Sequence, residues 1–288
     1  MLTYALRSVF VVILGILFSF ALFYVLPDPA YRVAGGFADK ATVVSIRKNL
    51  HLDEPITKRF VTLVSDTASG RLKSFYTNRP VIGLAIDKLK VSLAVAGWGL
   101  VFIFVLGGLL VAGQGMSRRL KKWVEMLSNT AAVVPVFISA ILLLFASTKW
   151  GLPKDACAGL ALAIFPSILL SSNVVLRLEE AKQAPHTLIA RAFGLGKLVM
   201  FRRMIHELAP SFIILSNSLI FFLIAGLAVV EEIFGIPGIG HWFLQSALRL
   251  DLPVLFAVSV LLSLGVVALD MFNKIVVWVL DPRQRNAW

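Results

Sequence analysis

Cysteine is nearly absent. Cys157 is the single one in 288 residues, which excludes an intrachain disulfide and any cysteine-based metal cluster. It falls in an apolar run and reads as a small core residue. Histidine is scarce as well. His51, His186, His206 and His241 are scattered and fall on both sides of the membrane arrangement derived below, so no histidine metal site is expected. His206-Glu207 begins a zinc-protease pattern, but Pro210 stands where the second histidine belongs. There is no G-x-S-x-G turn for a serine nucleophile. A phosphate loop is missing too, since Gly194-Leu195-Gly196-Lys197 lacks both its spacing and its hydroxyl residue. No catalytic residue and no nucleotide-binding phosphate loop is expected in this chain. Acidic residues are few, 16 against 28 Lys and Arg, giving a net charge of +12. The basic excess lies in loops and at the ends of apolar runs, as membrane topology and anionic headgroups require, so lipid rather than nucleic acid is the expected partner.

What the chain has is apolar length. Hydrophobic residues make up 58%, mean hydropathy is +0.86, and the apolar residues come in runs of about 20, as membrane spans require. The expectation is an all-α polytopic membrane protein with six transmembrane helices, over about 9–26, 91–113, 131–147, 156–176, 211–230 and 254–280. Pro27 and Pro29 end the first. Gly97, Gly99, Gly107 and Gly108 in the second let helix backbones approach and are expected to mark packing faces. Pro135 lies near the start of the third. The fourth carries Pro166, expected to kink or loosen it, then Ser167, Ser171, Ser172 and Asn173, read as interhelical hydrogen-bonding groups or as a polar path. Asp270 and Lys274 in the sixth can pair at four-residue spacing or snorkel separately to the interface, the second being the reading preferred. The 27–90 segment is too scattered in its aliphatic positions to span; Ile46–Leu52 reads as helical within it, stopped at Pro55.

The polar interval 177–210 is the most informative stretch. Pro185-His186-Thr187-Leu188-Ile189-Ala190-Arg191-Ala192-Phe193 reads as a short helix opened by proline, with Leu188, Ile189, Ala192 and Phe193 on one face. Gly194 sits where a helix takes a left-handed stop. Leu198, Phe201, Ile205 and Leu208 begin a second stripe, with Arg202 and Arg203 off it. Such a helix either lies on lipid headgroups or fits a groove on a cytoplasmic partner; both use the same amphipathic physics. The 231–253 segment, with Glu231, Glu232, Pro237 and glycines 235, 238 and 240 among Ile and Phe, is too apolar for a solvated connector. It reads as a re-entrant loop, tolerated where protein or a water-filled cavity surrounds it.

Ala190-Arg191-Ala192-Phe193-Gly194-Leu195, followed by Arg202-Arg203, His206 and Pro210, resembles the coupling loop of ABC-importer permeases of the dipeptide, oligopeptide and nickel group. Phe193 stands where that family usually has lysine, and Glu207 where asparagine is common. Asn49 to Pro55, Arg59-Phe60, Gly70 and Pro80-Val81 are similar to its extracytoplasmic loop. Glu231 to Gly240, with Arg249, Asp251 and Pro253, is the most specific match, and Asp281-Pro282-Arg283 fits its C-terminal signature. The resemblance implies a coupling helix (Thr187, Leu188, Ala190, Arg191, Ala192, Phe193, Gly194, Leu195, Arg202) that docks into an ATPase. It implies a gate at the outer mouth of the pathway (Glu231, Phe234, Pro237, Gly238, Gly240, Asp251) and a lid over 27–90 under a docked binding protein. The expected partners are a second homologous permease, two ABC ATPase subunits holding ATP and magnesium, and an extracytoplasmic substrate-binding protein. Short peptides are the implied cargo, then nickel or metal complexes. This chain would hold no cofactor.

Orientation follows from the short loops. The 118–122 cluster, the 177–209 segment with its six basic residues, and Arg283 and Arg285 fall on one side, against Lys149, Lys154 and Arg249 on the other. The first side is cytoplasmic, which puts both termini inside a bacterial inner membrane and 27–90 and 231–253 outside. Two other readings stand beside the importer: an ion-coupled secondary transporter with Glu231 or Asp270 as proton site, and a non-transporting membrane scaffold.

Overall fold

A computed structural model describes residues 2–25, 28–35, 38–131, 135–194, 196, 199 and 218–280. Among these the chain is helical almost throughout, with one isolated antiparallel bridge between Lys73 and Pro80. In order the helices are α1 (Leu2–Val25), α2 (Pro29–Ala34), α3 (Lys40–Asn49), α4 (Ile56–Ala68), α5 (Val81–Met116) and α6 (Arg118–Ala131). There follow α7 (Val136–Trp150), α8 (Lys154–Gln183), α9 (Pro185–Ala192), α10 (Ser218–Phe234), α11 (Ile239–Arg249) and α12 (Leu252–Leu280). Three of them, α5, α8 and the Leu252–Phe272 part of α12, are long and apolar enough to cross a membrane by themselves.

Several boundaries differ from expectation, each for a local reason. The 27–90 segment holds α2, α3, α4 and the start of α5, which begins at Val81 rather than 91. The helix expected over Ile46–Leu52 runs instead from Lys40 to Asn49, because the Asp39 carboxylate accepts the Thr42 N–H (3.0 Å) and caps it earlier. The third apolar helix starts at Val136, not 131: Pro135 is its N-cap residue, and the residues up to Ala131 form the separate amphipathic α6. The fourth extends seven residues past 176, to Gln183, as one helix through Pro166. The segment expected as a loop over 231–253 is mostly helix, since α10 runs through Phe234 and α11 fills Ile239–Arg249. The acids that suggested a loop ride on the last turn of α10, and glutamate is a good helix former.

By packing, the chain divides into two units, Met1–Ser92 with Pro237–Leu269, and Leu93–Ile236 with Asp270–Trp288. The first is built around Leu252 to Val258, where Leu252, Val254, Phe256, Ala257 and Val258 are at most 1% exposed. A helix buried all round is a core element. Phe20 of α1 meets Phe60 of α4 edge to face at 4.9 Å, and Leu63, Leu72, Val81 and Ile239 complete this core. Asp28 caps α2 through the Ala30 N–H (2.9 Å) and pairs with Arg47 of α3.

In the second unit α7 and α6 pack on α8. The buried stripe of α8 is rich in small residues, among them Cys157, Ala158, Gly159, Ala161 and Ala163. Cys157 is 5% exposed, the core residue its apolar run suggested. Gly159 is the tightest point. A Cβ there would lie 2.5 Å from Trp98 Cβ and 2.8 Å from the Gly99 nitrogen, so α5 and α8 touch backbone to backbone. Of the four glycines expected at packing faces, Gly99 and Gly107 meet Leu223 and Leu170; Gly97 and Gly108 face no described residue within 4 Å. Ser167, Ser171 and Asn173 donate to carbonyls of their own helix, at Ile164, Ile168 and Leu169, rather than to a neighbouring helix. That corrects the interhelical reading: short hydroxyl and amide side chains reach the preceding turn more easily than another helix. Lys274 pairs with Asp270, so the two do not snorkel apart.

Candidate functional site

The coupling segment grows out of the end of α8. Ala184 is extended (φ −61°, ψ 138°), which breaks the helix, and Pro185 opens α9 where a missing N–H costs nothing. The Thr187 N–H closes the first turn on the Ala184 carbonyl at 2.9 Å, and Thr187 is buried. Leu188, Ala190 and Arg191 lie within α9; Ala192 ends it. Ile189 and Phe193 sit one turn apart and are 56% and 81% exposed, with the Phe193 N–H bonded to the Ile189 carbonyl at 3.0 Å. Gly194 then takes φ 69°, the left-handed stop its sequence position implied. Leu195 and Arg202 lie outside the described residues, as do Arg203, His206 and Pro210.

Two contacts brace the helix end from which α9 departs. Lys121 of α6 pairs with Glu179 of α8, and Arg177 Nη1 donates to Glu180 at 2.8 Å. The hydrogen bond to Glu179 holds the Lys121 ammonium above the usual lysine range, so it stays charged. α8 is thus one thirty-residue rod, about 45 Å long at 1.5 Å per residue, ending in a short helix that shows two large apolar side chains. Large exposed apolar groups this close together mark a surface for a partner or for lipid.

The expected gate residues fall on two helices and a turn. Glu231 is fully buried and Phe234 is 2% exposed, both in the last turn of α10. That helix ends in a Schellman turn: Gly235 takes φ 63°, its N–H reaches the Glu232 carbonyl (3.2 Å), and the Ile236 N–H reaches the Glu231 carbonyl (2.9 Å). Pro237 is exposed. Gly238 caps α11 and is buried with Gly240. Within the first unit, the Ile239 N–H donates to Ser92 Oγ at 2.8 Å. Lys88 Nζ reaches the Pro237 carbonyl at 3.4 Å and lies 5.8 Å over the Trp242 ring.

α11 stops the same way as α10, but with a leucine in the left-handed position. Leu250 has φ 57°, with its N–H on Ala247 and that of Asp251 on Ser246. A non-glycine residue there stores about 1–3 kcal/mol of strain, and Leu250 is held by burial at 6% exposure. The strain delivers Asp251 to the start of α12. Its buried carboxylate accepts the Val254 N–H as a helix cap, and also the Ser74 hydroxyl and the Phe75 N–H (3.1 Å). The Tyr76 hydroxyl donates to the Arg249 carbonyl alongside. Burial pushes the Asp251 carboxyl up; the bonds from Ser74, Phe75 and Val254 pull against that, and the net displacement is upward. Asp251 therefore pins the 69–80 turn to α12. Ser74, Ser92 and Lys88 were not among the residues singled out in the sequence, because their partners lie 147 to 177 residues away.

Comparison with known proteins converges on one family. Residues 103–286 match the family described as binding-protein-dependent transport system inner membrane component, and residues 1–96 match the N-terminal part of such a membrane component. The dipeptide transport system permease protein DppB of Lactococcus lactis subsp. cremoris is 27% identical, covering 81% of this chain and 82% of its own. The probable peptide ABC transporter permease protein y4tP of Sinorhizobium fredii is 25% identical over 93% of each chain. The glutathione transport system permease protein GsiC of Escherichia coli O6:H1 is 25% identical over 92% of each. With both halves of the chain matched and the helical architecture in agreement, this protein belongs to the inner membrane components of binding-protein-dependent transport systems, the permeases of ABC transporters.

Proposed function

We propose that the chain is the permease subunit of an ATP-driven importer of short peptides. Six spans would form half of a pathway completed by a second homologous permease. Two ATPase subunits would work from the cytoplasm, and a binding protein would deliver cargo from outside. The observation that carries the coupling is the exposed Ile189–Phe193 pair on a helix closed by left-handed Gly194, at the tip of the α8 rod. An apolar pair of this kind fits a groove on a partner. Because α8 is continuous from Lys154 to Gln183, a push transmitted from α9 across Ala184 would be carried along one helix toward the membrane interior. The relatives named for dipeptide, peptide and glutathione transport support peptide cargo. ATP can shift the inward and outward states only by its differential affinity for them.

The test is uptake of a labelled dipeptide by the reconstituted complex. Wild-type uptake should require ATP and ignore membrane potential. Phe193→Asp should abolish it and strip the ATPase from the purified complex. Uptake driven by an ion gradient, or crosslinks from position 193 that reach lipid alone, would overturn the proposal.

A further inference from the structure

A cavity between α5, α6 and α8, within the second unit, shares only the Lys121–Glu179 pair with the features above. It measures about 300 Å³ and is lined chiefly by Gln114, Lys121, Glu125, Ser128, Ser172 and Glu179. Gln114 is 5% exposed, yet among the described residues neither its amide oxygen nor its amide nitrogen has a hydrogen-bond partner, and the buried Ser172 hydroxyl has none either. Leaving buried polar groups unsatisfied is costly, so these groups call for a partner from outside the protein, an ordered water or a bound ion. The contrast with their neighbours is direct. Ser167, Ser171 and Asn173 satisfy themselves on the backbone of α8, while Ser172 does not.

The charges say which ligand. Lys121 bonds Glu179 and lies 3.8 Å from Glu125, so one ammonium faces two carboxylates and the wall carries one net negative charge (+1 against −2). Open acceptors remain at Gln114 Oε1 and Ser172 Oγ, and the Ser128 oxygen, whose proton goes to the Glu125 carbonyl, can still accept. An anion would meet this negative wall. A transition metal would want three or more His, Cys, Asp or Glu ligands, and no such group exists among the described residues. The cavity has room for a compact cation with part of its hydration shell.

We propose that this cavity binds a small monovalent cation, an alkali ion or a primary ammonium, with Gln114 Oε1 and Ser172 Oγ as neutral ligands and the Glu125–Glu179 pair supplying the balancing charge. The ammonium has two possible sources, the surrounding solution and the amino terminus of a transported peptide; only the second rests on the peptide reading.

The experiment measures thermal unfolding of the full complex in nanodiscs, titrated with potassium or methylammonium chloride. Ionic strength is held with tetrapropylammonium chloride, which has no N–H to donate. A saturable upward shift is expected, with apparent affinity at least about tenfold weaker in Gln114→Met and in Ser172→Ala, the loss of one bond to a charged ligand. Without added cation, Gln114→Met should melt no lower than wild type, because the unpaired amide is gone. Dialanine against N-acetyl-dialanine separates the sources: a shift that acetylation abolishes assigns the peptide terminus, and a shift by potassium or methylammonium assigns a cation from solution. No saturable shift with any of these probes, a shift that follows the anion, or one that persists in both variants would overturn the site. The potassium arm does not depend on cargo, so its failure and a failure of the peptide reading are distinguishable.

Discussion

At the scale of single residues, Asp251 and Gly194 carry the sharpest expectations. The folded-state pKa of Asp251 lies above that of an ordinary aspartate. As pH rises between the two values, the unfolded chain loses this proton first, so stability contributed here is greatest in acid and falls until the folded group ionises, then stays level. Melting curves in detergent across the acid range should show that fall in wild type and lose it in Asp251→Asn. Asn still caps α12 and keeps one bond to the 74–75 turn. Asp251→Ala removes the cap and orphans the Phe75 N–H, and should cost about 2–4 kcal/mol; a wild-type melting temperature for that variant would refute the pin. Gly194 at φ 69° meets no described residue within 4 Å, and its conformation is the constraint. Gly194→Val should abolish ATP-driven uptake while the complex still assembles, because a β-branched residue resists the left-handed region. Uptake at the wild-type rate would show that the stop is dispensable.

At the scale of helices, contact between α5 and α8 depends on one position. A side chain at Gly159 would run into the Trp98 and Gly99 backbone, which cannot move aside as a side-chain tip can. Gly159→Val should lower stability by about 1–3 kcal/mol or more, through helix separation. Gly97→Ala meets no described residue within 4 Å and should be neutral or stabilising, since alanine favours a helix by about 1 kcal/mol. Thermal melts of the two variants side by side give the answer, and equal effects would mean that the close approach is not what holds these helices. The strained turn at Leu250 works on the same scale: two αL stops, one glycine and one leucine, set where α10 and α11 end. Glycine tolerates this conformation at no steric cost; Leu250 does not, and burial of its side chain overrides the local preference.

At the scale of the whole molecule, the expected topology puts residues 27–90 outside and α9 inside. In a Cys157→Ser background, an impermeant maleimide added to intact cells should label Ser69→Cys and spare Ala192→Cys, both exposed positions. The reverse pattern would invert the protein. By itself, the amino-acid sequence determined what depends on neighbours along the chain. The apolar runs of α5, α8 and α12, proline at the first turn of α9 and the glycine stop at 194 are local free-energy choices, and they survive in the folded protein. The extent of helix at 81–90, 177–183 and 231–234 escaped, because charged residues that suggest loops are good helix formers once a helix is already propagating. The tertiary structure alone decided the rest. It chose Gly159 and Gly99 over Gly97, sent the Asp251 carboxylate to a turn 177 residues away, and left Gln114 and Ser172 facing a cavity while their neighbours bonded their own helix. Those outcomes are matters of which surfaces meet, and residues distant in sequence carry no local signature of their meeting.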